Sequence, residues 1–377
     1  MRAHGFLNVE ISDDLSNIHR ALPKAGEIAY LGAEQILNGE TWRFLEHSLL
    51  HDGSYVGWQI GELYREGTYG KIYKAHRMVV KRRKDTLFDV IESPEEVIVK
   101  STEPTDGTTV LTLEDVTAHT SEALLHILAW QTMMKTATPW AIPRPYEVFG
   151  DKGPTGWKSM SFCMSYVNGR ILHTFIQKYW DLTTKTENSR LFLEILGQVA
   201  YILHHLQHTL RLNHRDVKIN NIMIRRAPQP IALTLGDAVI VTEYEITVID
   251  FGFACVGNQE LTTEFQAGSW FPMGDLCCKA GRDLAQLIYC IHCYFPIEKY
   301  LTPTIAAAVR QWMTIPWSGG VADALNGFTQ KGTPKLHKTP EYHTGIYEFL
   351  RKPSVDPILC DPMRVFQACH DLNAGLQ

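Results

Sequence analysis

Leu212-Asn213-His214-Arg215-Asp216-Val217-Lys218-Ile219-Asn220-Asn221-Ile222-Met223-Ile224 sets a cluster of polar side chains between two apolar ends. It follows directly on residues 191–210, an amphipathic stretch without proline that reads as a long helix. Downstream, Val248-Ile249-Asp250-Phe251-Gly252-Phe253-Ala254 reads as an apolar strand ending in an acid. Working outward toward the N-terminus, Trp58-Gln59-Ile60, Lys71-Ile72-Tyr73-Lys74-Ala75 and Glu96-Val97-Ile98-Val99-Lys100 read as three strands. Residues 121–134 read as a helix ended by Pro139, Pro143 and Pro145, and residues 159–167 as a further strand. Toward the C-terminus, beyond Leu284, the chain reads as mostly helical, broken by Pro296, Pro303, Pro316 and Pro353. Strands first and helices after is the pattern of an α+β protein in two lobes.

The two central segments together resemble the protein kinase family. The first matches the catalytic loop H-R-D-x-x-x-x-N and the second matches D-F-G. Either tripeptide alone is weak. Both, with a lysine two residues after the acid, an asparagine five after it and a strand before D-F-G, form a specific pattern. The resemblance implies phosphoryl transfer, which needs a positioned hydroxyl, neutralised phosphate charge and in-line geometry. It makes Asp216 the carboxylate that orients the acceptor hydroxyl and takes its proton. Lys218 is implied to meet the transferring phosphate. Asn221 and Asp250 offer oxygen ligands, which suit Mg²⁺. Arg215 contacts a phosphorylated activation segment in the family, and His214 supports the loop.

The parts that hold a nucleotide are expected upstream. Glu66-Gly67-Thr68-Tyr69-Gly70-Lys71 resembles the glycine-rich loop G-x-G-x-x-G, with Gly67 and Gly70 kept and Arg65 where the first glycine is expected. Glycine lets the backbone approach phosphate closely. Val97-Ile98-Val99-Lys100 resembles V-A-I-K, whose lysine meets the α and β phosphates. Its expected partner in the next helix is Glu122, with Glu114 the alternative. Met164-Ser165-Tyr166-Val167-Asn168-Gly169 resembles the hinge, where Met164 and Tyr166 are expected beside the adenine.

Some segments depart from the family. Gly268-Ser269-Trp270-Phe271-Pro272-Met273 stands where A-P-E is expected and keeps only the proline. Thr262, Thr263 and Ser269 are candidate phosphate acceptors in that segment. Asp283 resembles the buried acid that supports the catalytic loop backbone. Residues 225–247, with Ala227-Pro228-Gln229-Pro230, read as an enlarged hairpin. The basic run Lys81-Arg82-Arg83-Lys84 reads as part of a solvated loop over residues 76–94. Residues 33–50 read as a helix within an N-terminal extension, 1–54, of unknown role. These divergent features resemble those of virus-encoded or parasite kinases.

The chain has 377 residues and a formal net charge of −5. Mild acidity argues against a dedicated nucleic-acid binder. No apolar run is long enough to span a bilayer, and the first residues lack the apolar stretch of a secretory signal. Expectation therefore falls on a cytoplasmic or nuclear protein, without nucleic-acid or membrane partners, whose cysteines are thiols. Cys290-Ile-His-Cys293 lies in an apolar, helical run and reads as buried core; a zinc or redox site is the alternative.

The resemblance implies a bilobal protein-kinase-like fold over 55–377. A small antiparallel β lobe plus one helix is expected at 55–163, with hinge and a large, mainly helical lobe at 164–377. ATP is expected in the cleft between the lobes. The function implied is ATP- and Mg²⁺-dependent phosphorylation of Ser/Thr hydroxyls on protein substrates. A pseudokinase, a nucleotide-binding or scaffolding module, is the alternative. A small-molecule kinase is a third reading, opposed by Arg215 and Lys218.

Overall fold

Fifteen strand segments and seven helices, α with β, make up the described parts of the chain. The computed structural model describes residues 28–37, 39–45, 53–67, 70–84, 87–104, 109–257, 263–266, 281–317, 320–323 and 358–376. The chain divides into two compact units. The first is Met1–Trp130, Pro143–Val167 and Ala267–Ser269; the second is Gln131–Ile142, Asn168–Gln266 and Trp270–Gln377.

Seven strands form the first unit's sheet: β1 (Ala29–Leu37), β2 (Glu40–Leu45), β3 (Ser54–Gly67), β4 (Gly70–Lys84), β5 (Leu87–Thr102), β6 (Pro145–Gly153) and β7 (Gly156–Ser165). They pair in the order β1-β2-β3-β4-β5-β7-β6 as a closed barrel. All neighbours are antiparallel except β1 and β6, which close the barrel in parallel at Ala29↔Phe149 and Tyr30↔Gly150. Strand side chains alternate between faces, so Val97 and Val99 both point inward and reach full burial. They join Leu45, Val56, Trp58, Ala75, Phe149 and Cys163 in one apolar core. Trp58 stacks on Phe149 at 4.9 Å.

Two local expectations are corrected here. Residues 33–50 are not a helix; their described part is the hairpin β1–β2, with Leu37 facing Glu40 across a turn at Gly39. The apolar spacing fitted a helical face, but Ile36, counted on that face, is 80% exposed. Trp42 and Phe44 instead share one strand face and pack with Met78 and Val80 in a second cluster, while Leu45 turns to the barrel core. These strands pair with β3 and β6, so residues 29–45 are part of the first unit's sheet. Nor is the described part of 76–94 a loop: residues 76–84 lie in β4 and 87–94 in β5. The basic run behind that expectation lies in β4, where Lys81 pairs opposite Asp89 of β5 and Arg83 reaches the same carboxylate at 3.6 Å. Arg77, 8% exposed, forks onto Glu147 at 2.7 Å and reaches Glu92 at 3.1 Å and Glu95 at 3.3 Å. Opposite charges on neighbouring strands stabilise a sheet as well as they solvate a loop.

Helix α1 (Leu113–Met133) begins eight residues before the expected 121. Its start is a reciprocal cap: Thr112 Oγ1 accepts from the Asp115 N–H at 3.1 Å, and Asp115 Oδ2 accepts from the Thr112 N–H at 2.9 Å. Such a cap satisfies backbone donors that the first turn leaves open.

In the second unit, helices α2 (Leu172–Tyr179), α3 (Lys185–Leu210), α4 (Arg282–Tyr294), α5 (Ile297–Tyr300), α6 (Pro303–Trp312) and α7 (Pro362–Ala374) accompany short sheets. Strands β8 (Arg170–Ile171), β10 (Ile222–Leu235) and β11 (Ala238–Val248) form one sheet. Strands β9 (Leu212–Asn213), β12 (Cys255–Gly257) and β13 (Thr263–Gln266) form another, and β14 (Thr314–Trp317) with β15 (Gly320–Asp323) a third. The expected enlarged hairpin is β10–β11, paired from Ile222↔Val248 to Leu235↔Ala238. Its register shifts between Arg226 and Ile231, across Ala227-Pro228-Gln229-Pro230. Proline has no N–H to give a ladder, so the bulge falls where pairing could not continue. Helix α3 is buried along most of its length and packs against β11 and α7.

Candidate active site

The central loop starts where α3 stops. Arg211 caps α3 in the left-handed conformation, and Leu212–Asn213 then pairs with Cys255 and Val256. His214, Arg215 and Asp216 follow, all buried. Arg215 has φ 65, a conformation side chains seldom adopt. The carboxylate of Asp283, in the first turn of α4, anchors this bend. Its Oδ2 accepts the His214 N–H at 2.9 Å and its Oδ1 accepts the Arg215 N–H at 2.8 Å. That is the backbone support the sequence resemblance implied for Asp283.

His214 holds the loop from the other side. Its Nδ1 lies 3.3 Å from the Asp216 N–H, a donor, so Nδ1 accepts. The proton then sits on Nε2, which donates to the Ile249 carbonyl at 3.2 Å. This neutral tautomer is assigned from the hydrogen-bond partners. The ring also rests on Phe251, centroids 4.8 Å apart.

Asp216 is the focus of the site. Oδ2 accepts from Lys218 Nζ at 2.7 Å and from Asn221 Nδ2 at 2.7 Å. The same Asn221 nitrogen reaches the Asp216 carbonyl at 3.1 Å. The Ile249 N–H donates to the Asn221 carbonyl at 3.0 Å, which ties the loop to the strand leading into Asp250. Burial pushes the Asp216 carboxyl above its ordinary pKa, with Lys218 opposing and the Asp250 charge adding to the rise. Burial disfavours the Lys218 ammonium, but the Asp216 carboxylate outweighs it and its pKa is raised. Both effects place Asp250 within electrostatic reach of the pair. Asp250 itself sits at φ 70.

Sequence reading missed one neighbour. Gln286, buried one turn after Asp283 on α4, points Nε2 at Asp216 Oδ1 at 3.5 Å. The only available signal was helical spacing: i and i+3 share a face.

In the first unit, Lys100 Nζ contacts Glu122 Oε1 at 2.6 Å, and both side chains are nearly buried. Glu114 lies in the exposed first turn of α1, about two turns earlier. Of the two candidates, Glu122 is therefore the partner. Gly67 faces Gly70 at the end of the β3–β4 ladder, while Thr68 and Tyr69 lie outside the described residues. Gly70 has φ 147, and a Cβ there would stand 2.6 Å from the Ser101 carbonyl, so no side chain fits. Arg65 is exposed and faces Ile72, directly after a register shift between Leu63 and Arg65. Met164 is half-buried in β7, opposite Ile98. The Tyr166 ring lies under Lys74 Nζ at 4.8 Å.

Thr262, Ser269, the 268–273 segment, Cys277 and Cys278 lie outside the described residues. Cys290 is buried in α4 and Cys293 half-buried. Burial pushes the Cys293 thiol up to about 12, against a hydrogen bond from Tyr289. Cys163, Cys290, Cys293, Cys360 and Cys369 are free thiols. Cys255 is disulfide-bonded, which corrects the expectation that every cysteine is a thiol. No helix among the described residues is long and apolar enough to cross a membrane.

No curated protein matches this chain. Residues 114–274 match the family model of the protein kinase domain. That stretch holds Glu122, Met164, Tyr166, Arg215, Asp216, Lys218, Asn221 and Asp250; Gly67, Gly70 and Lys100 precede it. Over residues 114–274, which hold the loop that Asp283 anchors and Asp216 centres, the chain is therefore similar to the protein kinase domain.

Proposed function

We propose that this kinase transfers the γ-phosphoryl group of ATP to Ser and Thr hydroxyls of protein substrates. The observation that carries the reading is the Asp216 carboxylate, met at one oxygen by both Lys218 and Asn221 on a loop fixed by Asp283. A carboxylate so fixed can align a hydroxyl without reorganising, which is where enzymatic phosphoryl transfer gains most. Its raised pKa suits a group that must take a proton.

Asp216 accepts the proton of the attacking hydroxyl. The acceptor oxygen bonds to the γ-phosphorus, the bond to the bridging oxygen breaks, and ADP leaves with that electron pair. Lys218 neutralises charge on the transferring group. Lys100, held by Glu122, meets the α and β phosphates. Gly67 and Gly70 let backbone approach them, and Met164 and Tyr166 border the adenine. Arg215 answers to the activation segment. Lys218 two residues after Asp216 favours Ser/Thr over Tyr by family resemblance.

The donor set fits magnesium. Both Asn221 bonds use Nδ2, which leaves its Oδ1 for a cation, and Asp250 adds a carboxylate nearby. No cluster of three His, Cys, Asp or Glu suited to a metal occurs among the described residues. Magnesium commonly takes one or two protein ligands and completes its shell with phosphate oxygens and water. When bound it neutralises phosphate charge.

The test is transfer of labelled γ-phosphate from ATP to generic protein acceptors, followed by phosphoamino-acid analysis. Phosphoserine and phosphothreonine are expected, and none from Asp216→Asn at matched times. Phosphotyrosine alone would overturn the specificity. Nucleotide binding without transfer would favour the pseudokinase.

A further inference from the structure

His119 lies three residues before Glu122 on α1, so both side chains emerge on one face of the helix. Thr102 lies two residues after Lys100 on β5, so both share one face of the strand. The two elements are therefore joined twice in parallel. Lys100 Nζ meets Glu122 Oε1 at 2.6 Å, and Thr102 Oγ1 meets His119 Nδ1 at 3.0 Å.

His119 is only 4% exposed. Burial and the Lys100 charge hold its pKa down at about 3, so the imidazole stays neutral beside the ammonium. A second cation there would compete with Lys100 for Glu122; a neutral ring does not. Thr102 also reaches the glycine turn: a Cβ at Gly70 would lie 3.7 Å from its hydroxyl.

We infer that His119 is a positioning residue: with Thr102 it fixes the register of α1 on β5 at which Glu122 meets Lys100. An ion pair alone sets distance but leaves the helix free to rotate or slide about it. A second, uncharged hydrogen bond one turn earlier removes that freedom. The inference rests on the proposed role of Lys100 in holding phosphate.

The experiment measures the acylation rate of Lys100 by an amine-reactive ester, read by peptide mass spectrometry on the full chain, with and without Mg·ATP. A lysine held against Glu122 reacts slowly. His119→Leu and Thr102→Val should each raise the Lys100 rate severalfold. The double variant should show no more than either single change, because both break one link. His119→Gln, which keeps a polar partner for Thr102, should restore the slow rate. Folding is checked by the acylation of lysines elsewhere, and Thr102→Val serves if His119→Leu fails to fold. Unchanged Lys100 rates in folded variants, or additive effects in the double, overturn the inference. Separately, Mg·ATP should protect Lys100 in the wild type. Absence of that protection defeats the phosphate role, while the variant rates still decide whether His119 positions the pair.

Discussion

Asp216 and His119 show how far single side chains carry chemistry when burial removes water from around them. Asp216, buried, is met by Lys218, Asn221 and Gln286. Asp216→Asn preserves shape but not basicity, so nucleotide affinity should hold while turnover falls about 10²–10⁴-fold. Steady-state kinetics with an independent nucleotide-binding titration checks this; near wild-type turnover sinks the assignment. His119 makes a different prediction, about stability. Its pKa falls from an ordinary 6.5 to about 3 on folding, so the unfolded chain binds the extra proton first. Its contribution is complete above pH 6.5 and is lost as pH drops toward about 3. Chemical denaturation across that window should show an acid limb that flattens in His119→Gln. Asp216, Lys218, Asn221 and Asp250 were legible in the sequence because loop chemistry fixes their spacing. Gln286 and His119 were not, because each matters only through a partner from another element.

At the scale of elements, the loop and the long hairpin are each secured by something distant in sequence. Asp283 supplies the acceptors for two buried backbone N–H groups at a bend where Arg215 is left-handed. Asp283→Ala orphans both donors, at about 1–3 kcal/mol each. A marked fall in unfolding temperature is expected, with Asp283→Asn falling less because one acceptor remains. An unchanged melting curve for Asp283→Ala would show that the loop is anchored elsewhere. The β10–β11 hairpin reaches α7, where His370 Nδ1 meets the Val239 carbonyl at 2.7 Å. Val365, Phe366 and Cys369 of α7 are fully buried. Replacing residues 229–242 with a two-residue turn should raise hydrogen exchange across α7 and leave α1 unaffected. Equal protection of α7 in both forms would refute that dependence. The hairpin was legible because β-branched runs flank a turn. The β1–β2 hairpin was not, since a short apolar run fits a helix and a strand equally well.

For the whole molecule, sequence carried the likeness to a protein kinase domain over residues 114–274 and missed how the first unit's sheet closes. The pairing of Ala29 with Phe149 joins residues far apart in the chain, and no local pattern announces it. The family match begins at residue 114, after the strands that carry Arg65, Gly67, Gly70 and Lys100. Whether those strands serve an active enzyme or a silent one therefore turns on Arg65, the position that departs most from the glycine-rich pattern. Arg65 faces Ile72 within the β3–β4 ladder, with its side chain exposed, and it is not among the residues with positive φ. The backbone there does not require glycine, unlike Gly70, whose φ and close carbonyl exclude any side chain. Arginine also offers a fork of donors suited to phosphate oxygens. Arg65→Gly should consequently shift the Michaelis constant for ATP by less than about tenfold, roughly 1.4 kcal/mol. Gly70→Ala should cost far more, since the added methyl meets the Ser101 carbonyl. Steady-state ATP titrations of the three forms decide the matter. A wild type silent at every ATP concentration, beside an Arg65→Gly form that transfers phosphate, would identify the native chain as a pseudokinase whose arginine holds it inactive.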